Sequence, residues 1–454
     1  MVAVGAVGAM AGLPLAALLD GAGRVLRGKG EAVVASARAC IDAGFALTNP
    51  ADRLLATVEL YAPPPERWHI TGNEAAGLGA LRAGVRFVAA YPITPASEML
   101  EWLAPRLERL GGTLVQAEDE LASLSMIIGG AFGGVPALTA TSGPGLSLMQ
   151  EGIGLAVASE TPIVVVNVMR GGPSTGIPTK SEQSDLNAAI YGLHGDAPHL
   201  VLAALDIADC AHTVAWATRL AWRLQTAAIV LSDQSLGQSR AVCDPVAELP
   251  ENAADARSHV QPGAAPYRRY ADTADGISPM SVPGEAGLAY TADGLEHSPS
   301  GAPSSRFADH LAQLGKRRRK LTELDYGPDW AELGDGHDAA AGSPLLCLVT
   351  FGSCRGAVVE AAERLRHAGY AVRTVALRLL APLRRDALVA AVGNAEVLVV
   401  EQNHGAQLFH YLHAERALPT AAQSLAHPGP LPLRPGEIVT AAAALLEEVR
   451  HDRD

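Results

Sequence analysis

Aromatic side chains are scarce in this chain: they make up 4% of its 454 residues, as five Trp, nine Tyr and six Phe. Any core must therefore be built from Ala, Val, Leu and Ile, and a hydrophobic content of 48% is ample for that. Basic charge is in deficit, with 35 Lys and Arg against 48 Asp and Glu, a net charge of -13. That balance argues against nucleic acid as the main partner, because phosphate binding needs a basic footprint. The one basic run, Lys316-Arg317-Arg318-Arg319-Lys320, reads as a solvated helix face or a contact with an acidic neighbour. The five cysteines, Cys40, Cys210, Cys243, Cys347 and Cys354, contain no Cys-x-x-Cys pair. Their spacing excludes a local four-Cys iron–sulfur site and suits reduced core residues of a cytosolic protein. Long apolar runs are also missing. Met1 to Leu19 is apolar but lacks a basic leader and is interrupted by Pro14 and Asp20. It reads as a buried helix packing on a partner, not as a signal peptide or membrane span. The expectation is a cytoplasmic protein with no membrane segment.

What is present is an alternation of short apolar runs with longer periodic ones, the rhythm of a parallel βαβ architecture. Residues 1–50 read as helical, with helices over Met1–Asp20 and Gly30–Ala43, and residues 51–71 as a linker marked by Pro63-Pro64-Pro65. Residues 72–235 form the main α/β domain, with Pro162–Val168 as a strand buried on both faces. Residues 236–342 are rich in Pro, Gly, Ser, Asp and His. They read as an ordered excursion over the surface, without regular periodicity until Ser305–Leu321. Residues 343–454 return to α/β as a second, smaller parallel-sheet domain.

Four polar clusters fall at the carboxyl ends of predicted strands of the main domain, where open parallel sheets gather their chemistry. Tyr91-Pro92-Ile93-Thr94-Pro95 is stiffened by its prolines and presents Thr94, either as a hydrogen-bond donor to a substrate oxygen or as a cap for the next helix, which Ser97 can also cap. Glu118 and Glu120 stand at the head of an apolar helix, as partners of its dipole or as acids kept for proton transfer. Ser142-Gly143-Pro144-Gly145 is a tight turn into a helix that lacks the lysine of a P-loop. Arg170, at the end of a buried strand, needs an anion, whether a substrate carboxylate or an internal partner. The loop from Ser174 to Lys180 after it is rich in groups that could hold phosphate.

In this order the four clusters, with Gln116-Ala117 before Glu118, Thr141 before Ser142, Gly171-Gly172-Pro173-Ser174-Thr175-Gly176 after Arg170 and then Glu182-Gln183-Ser184-Asp185, resemble the α subunit of 2-oxoacid:ferredoxin oxidoreductases, nearest to the 2-oxoglutarate branch. The resemblance covers almost the whole chain, including Asp275-Gly276-Ile277-Ser278-Pro279 and Gly294-Leu295-Glu296-His297. It implies a pyrimidine-type thiamine-diphosphate-binding doubly wound domain, a transketolase C-terminal-like domain and a short helical N-terminal segment. It implies coenzyme A-dependent oxidative decarboxylation of a 2-oxoacid. Thiamine diphosphate would be shared with a β subunit. Magnesium and an iron–sulfur cluster would lie on partner subunits, and electrons would pass to ferredoxin or a similar acceptor. By the same resemblance, Glu120, with Glu118 as the alternative, would pair with the aminopyrimidine ring. Tyr91, Pro92, Ile93, Thr94, Ser142 and Gly143 would border the cofactor. Thr94 and Arg170 would hold the 2-oxoacid, and Gly171, Gly172, Ser174 and Thr175 would lie near coenzyme A. Residues 1–50 resemble only the helical tail of the family's γ domain, so a separate γ-type or electron-transfer subunit is a further expected partner. Gly334-Asp335-Gly336, followed by no Asn until Asn394, is read as a decoy for the diphosphate motif. The rival readings are a non-oxidative thiamine enzyme subunit and a non-catalytic scaffold.

Overall fold

The structure is a computed structural model and describes residues 1–48, 67–245, 253–260, 266–334 and 345–453. It divides into two compact units, Met1–Glu66 and Arg67–Asp454.

The first unit holds three helices, α1 (Val2–Met10), α2 (Leu15–Val25) and α3 (Glu31–Ala46). The single helix expected over Met1–Asp20 is broken between α1 and α2, where Gly12 takes a positive φ and Pro14 opens the next helix. α1 and α3 meet backbone to backbone. A side chain on Gly5 would overlap the Ile41 carbonyl, and one on Gly44 that of Val2. Ile41 is fully buried, while this unit leaves Val4, Val7 and Leu47 exposed.

The second unit opens with β1 (Trp68–Thr71), inside the stretch expected to be linker; the rest of that stretch, 51–66, lies outside the described residues. There follow α4 (Gly72–Arg82), β2 (Phe87–Ala90), α5 (Ser97–Arg109), β3 (Thr113–Gln116), α6 (Glu120–Phe132), β4 (Ala137–Thr141), α7 (Gly143–Ala158) and β5 (Ile163–Met169). Next come α8 (Leu186–Tyr191), β6 (Leu200–Ala203), α9 (Asp209–Leu224), β7 (Ala227–Asp233), α10 (Gln234–Gln238), β8 (Arg240–Cys243) and α11 (Phe307–Thr322). The chain continues with β9 (Ala331–Gly334), β10 (Leu345–Phe351), α12 (Cys354–His367), β11 (Ala371–Leu377), β12 (Leu379–Ala381) and α13 (Arg385–Val392). It ends with β13 (Glu396–Glu401), α14 (Gln407–Ala414), β14 (Gln423–Ala426) and α15 (Pro435–Arg453). Among the described residues no helix is long and apolar enough to cross a membrane.

The large sheet has seven strands in the order β12-β6-β7-β5-β4-β2-β3, parallel except for β12. Its centre is β5, whose seven residues are all buried, as a strand covered on both faces requires. The smaller sheet has the order β14-β13-β10-β11-β9, parallel except for β9. β1 and β8 form a separate antiparallel pair. The short strands β1, β8, β9, β12 and β14 are absent from the sequence reading. Each has three or four residues, too few to show a period, and each is defined by the strand it pairs with. Ser97 is the first residue of α5 and makes no cap bond, because the turn bonds from Ala96 N and Ser97 N to the Ile93 carbonyl already begin the helix.

The excursion docks through charge. Glu160 is fully buried, with Lys316 Nζ 2.7 Å from Oε1 and Lys320 Nζ 3.1 Å from Oε2. Arg269 donates to the Glu160 carbonyl at 2.8 Å. Burial alone would raise the Glu160 carboxyl, but Lys320, Lys316 and Arg269 hold it well below the usual carboxylate range. Burial in turn pushes the Lys320 ammonium down to about 8. The basic run is therefore not a solvated face. Lys316 and Lys320, four apart on α11, point inward together, while Arg318 stays exposed.

Candidate active site

In the large sheet the chain steps from β2 out to β3 and then crosses back to β4, so the topological switch lies between β2 and β4. A crevice at such a switch, outside the carboxyl ends of the strands, is where an open α/β sheet binds ligands. All four polar clusters lie there. Tyr91–Pro95 follows β2, Glu118–Glu120 follows β3, Ser142–Gly145 follows β4 and the loop from Arg170 follows β5.

Arg170 joins two of them. Its Nη1 donates to the Thr94 carbonyl at 2.6 Å, bridging the loops of β5 and β2 across β4. The contact uses the Thr94 backbone, and the residue itself is exposed, as are Tyr91 and Pro92; Ile93 is half-buried. Arg170 Nε is buried with no partner among the described residues.

The two acids at the head of α6 differ in environment. Glu118 is exposed, whereas Glu120 is buried at 6% exposure. Asp119 between them caps the helix, its Oδ1 accepting from Ala122 N at 2.7 Å. Among the described residues the Glu120 carboxylate has no hydrogen-bond partner. It packs against the turn after β4, where a Cβ on Gly145 would sit 2.8 Å from Glu120 Oε1 and would overlap Thr141 Oγ1. Ser142 Oγ, in the same turn, is buried and also unpartnered.

The other glycine of this turn meets a second acid. A Cβ on Gly143 would lie 2.8 Å from both carboxylate oxygens of Asp185. Asp185 stands at the N-terminus of α8 without capping it; its Oδ2 instead accepts from Asn167 Nδ2 on β5 at 2.9 Å. Burial pushes the Asp185 carboxyl above the usual range, with the Asn167 bond opposing, nearby Glu182 adding to the rise and Arg170 drawing it down. Sequence reasoning quoted Asp185 without giving it a role and passed over Asn167. The available signal was an amide inside the run Val164–Val168 of a strand otherwise apolar.

Of the loop expected near coenzyme A, Gly171 is buried and Gly172, Pro173, Ser174 and Thr175 are exposed. A Cβ on Gly171 would lie 3.0 Å from Glu182 Oε2. The far end of the loop is pinned to the region of the smaller sheet. Gln183 Nε2 donates to the Phe351 carbonyl at 2.9 Å, and its Oε1 accepts from Gln402 N at 2.9 Å. Gln183 N donates to the Gln402 carbonyl at 2.7 Å, and Gln407 Nε2 to the Ser184 carbonyl at 2.8 Å. Gly334 ends β9 on the opposite edge strand of the smaller sheet, while Asp335 and Gly336 of the decoy lie outside the described residues.

The family model for the thiamine-diphosphate-binding region of pyruvate flavodoxin/ferredoxin oxidoreductases matches residues 78–316, which span all four clusters. The chain belongs to the 2-oxoacid:ferredoxin oxidoreductase α-subunit family. It is 52% identical over 171 residues to the 2-oxoglutarate synthase subunit KorA of Archaeoglobus fulgidus, covering 38% of this chain and 49% of that one. It is 35% identical over 356 residues to the α subunit of 2-oxoacid:ferredoxin oxidoreductase 1 of Sulfurisphaera tokodaii, covering 75% and 56%. With the KorA subunit of Methanothermobacter thermautotrophicus the identity is 34% over 352 residues, covering 76% of this chain and 90% of that relative. The chain thus spans about half the length of the first two of these relatives. The solved 2-oxoglutarate:ferredoxin oxidoreductase of Magnetococcus marinus, which has 2-oxoglutarate, coenzyme A and succinyl-CoA bound, matches 98% of this chain and 77% of its own, with a TM-score of 0.85 and 37% identity. The TM-score of 0.85 over 98% of this chain shows that this member of the family shares its fold.

Proposed function

We propose that the chain is the α subunit of a multi-subunit oxidoreductase that decarboxylates a 2-oxoacid, 2-oxoglutarate by preference, with coenzyme A as acyl acceptor. The observation that carries this reading is the buried Glu120 carboxylate, unpartnered at the switch point and set across a tight turn from the loops joined by Arg170. The residues fit thiamine diphosphate: Ser142 Oγ is buried without a partner among the described residues, and the carboxylate of Glu120, a residue 6% exposed, is likewise unspent, as a site for a polar heterocycle requires. When bound, the cofactor supplies the nucleophilic carbon and the electron sink that decarboxylation needs.

Glu120 would hold the aminopyrimidine ring nitrogen and pass a proton there, with Tyr91, Pro92, Ile93, Thr94, Ser142 and Gly143 forming the wall. Thr94 and Arg170 would orient the 2-oxoacid through its carboxylate. Gly171, Gly172, Ser174 and Thr175 would lie beside coenzyme A. A β subunit would complete the cofactor site with magnesium and carry an iron–sulfur cluster, and ferredoxin or a similar carrier would accept the electrons. The 2-oxoglutarate and coenzyme A in the Magnetococcus complex support the choice of substrate pair.

The test is reduction of a viologen dye by the native complex recovered through this chain, with 2-oxoglutarate and with or without coenzyme A. Reduction should require both. Glu120→Gln should lower turnover by at least about a hundredfold while the complex still assembles on gel filtration, and Glu118→Gln should leave it within a few-fold. Thiamine-dependent turnover of a 2-oxoacid without reduction of the dye would replace this reading with the non-oxidative one. A complex without bound thiamine would leave only a scaffold.

A further inference from the structure

Two successive carbonyls of the loop after β2 are gripped from different elements. The Thr94 carbonyl accepts from Arg170 Nη1 at 2.6 Å, and the Pro95 carbonyl accepts from Asn73 Nδ2 at 2.8 Å. Asn73 lies in the first turn of α4, buried at 1% exposure. That helix start is already closed without it: Thr71 Oγ1 accepts from Glu74 N at 3.1 Å, and Glu74 Oε2 accepts from Thr71 N at 3.0 Å. Asn has low helix propensity, so a buried Asn here needs another reason. Its amide is turned toward the loop after β2. Nδ2 also donates to Glu98 Oε2 at 3.1 Å, and Glu98 Oε1 accepts from Gln238 Nε2 on α10 at 2.7 Å. A carbonyl and a carboxylate both accept, so the amide must present its nitrogen to them. Room for the amide comes from Gly237, where a Cβ would lie 3.0 Å from Asn73 Oδ1 and 3.1 Å from Val168 Cγ1 on β5. One buried amide thus joins the segments after β2 and β7, beside the strand that leads to Arg170.

We infer that Asn73 is a positioning residue for the 2-oxoacid: its grip on the Pro95 carbonyl fixes the neighbouring Thr94 carbonyl, and that carbonyl aims the Arg170 guanidinium at the substrate carboxylate. This deepens the proposed function and rests on the role given there to Arg170. A guanidinium on a long side chain holds a carboxylate best when its planar fork is set in advance. Arg170 spends Nη1 on Thr94 and keeps Nε buried without a partner among the described residues. The acceptor on one side of the fork therefore sets the direction of the other. That acceptor is a loop carbonyl, which is only as well placed as its own anchors. The Pro95 ring locks φ between the two carbonyls and leaves one free torsion, so holding the second restrains the first. Asn73 does not touch the substrate; it narrows the orientations open to the group that does. Glu98 and Gln238 hold Asn73 in turn.

The experiment is a double-mutant cycle on KM and kcat for 2-oxoglutarate in the intact complex: wild type, Asn73→Asp, Arg170→Gln and the two together. Asn73→Asp keeps the size of the side chain and removes both donors. Its KM should rise roughly tenfold, with kcat changed less than about threefold. In the Arg170→Gln background the same substitution should change KM by less than about twofold, because the group it aims is gone. A purely structural loss lowers the melting temperature and the active fraction, and so the apparent kcat, in both backgrounds, and leaves KM alone. A wild-type KM in Asn73→Asp overturns the inference, and so does a rise of equal size with and without Arg170. If Asn73→Asp fails to assemble, Glu98→Ala, at an exposed position, takes its place in the cycle. Its KM should rise about threefold with Arg170 present and stay unchanged without it, and an unmoved KM with Arg170 present overturns the inference. A wild-type complex that oxidises no 2-oxoacid overturns the functional reading itself, an outcome distinct from an active enzyme whose KM ignores Asn73.

Discussion

At Gly145 the volume of a missing side chain is filled by the Glu120 carboxyl and the Thr141 hydroxyl, and at Gly143 by the Asp185 carboxyl. Both glycines are therefore conditions for placing acids close to a helix N-terminus, not merely for bending the turn. Gly145→Ala should push the Glu120 carboxyl aside and lower 2-oxoacid turnover by about a hundredfold or more, since a displacement of about 1 Å at a reacting group costs that much. Steady-state assays on the assembled variant check it, with unchanged melting separating displacement from misfolding. The motif order Ser-Gly-Pro-Gly was legible in the sequence, and so was the pair Glu118 and Glu120. Which acid faces inward was not, because it depends on the phase of α6 against the turn after β4. Asp185 was visible as a letter in Glu-Gln-Ser-Asp, but its contact with Gly143 joins loops about forty residues apart.

At the scale of elements, α11 shows how far reading by composition reaches. A run of five basic residues in an acidic protein left open a solvated face or an acidic neighbour; the neighbour is Glu160, on which Lys316 and Lys320 are buried, some 160 residues earlier in the chain. No local pattern carries that partnership. Glu160→Gln would leave two buried ammonium groups without their counter-charge and should destabilise the second unit by about 3–5 kcal/mol. The pH dependence has a definite sign. Glu160 is held below its ordinary value, so its stabilisation is complete above the unfolded carboxylate range and is lost as pH falls through the folded value. Urea unfolding at about pH 7 and about pH 4 should show the wild type losing stability on acidification and Glu160→Gln losing less over the same interval. The strands and helices of the large sheet were legible for the opposite reason. Apolar runs such as Ile163–Met169 are buried on both faces, and burial of that kind is written locally.

At the scale of the whole second unit, the loop that carries Arg170 at one end is tied at the other to the smaller sheet by Gln183. Its side chain serves Phe351 and Gln402, and its backbone serves Gln402 and Asn403. Gln183→Leu would keep the volume but leave the buried Gln402 amide without the Gln183 acceptor and the Phe351 carbonyl with only the long 3.5 Å contact from Thr350 Oγ1, at about 1–3 kcal/mol each. The expected result is a lower melting temperature and faster proteolytic cutting within 172–180, with the fragments of the large sheet still protected. Limited proteolysis followed by mass spectrometry reads both parts of that outcome. None of these links was legible in advance, because Gln183 and Gln402 are unremarkable until two sheets bring them together.

The outer strand β12 has a consequence for how the protein is made. β6 would be the bare edge of the large sheet if β12 did not pair with it, and β12 leaves the ribosome about 175 residues after β6. At ordinary translation speeds of about 5–20 residues per second, the sheet waits some 10–30 s with an open, apolar border. During that interval the nascent chain offers a template for strand pairing with its neighbours on a polysome. Covering that border is a task for the cell before it becomes a property of the fold.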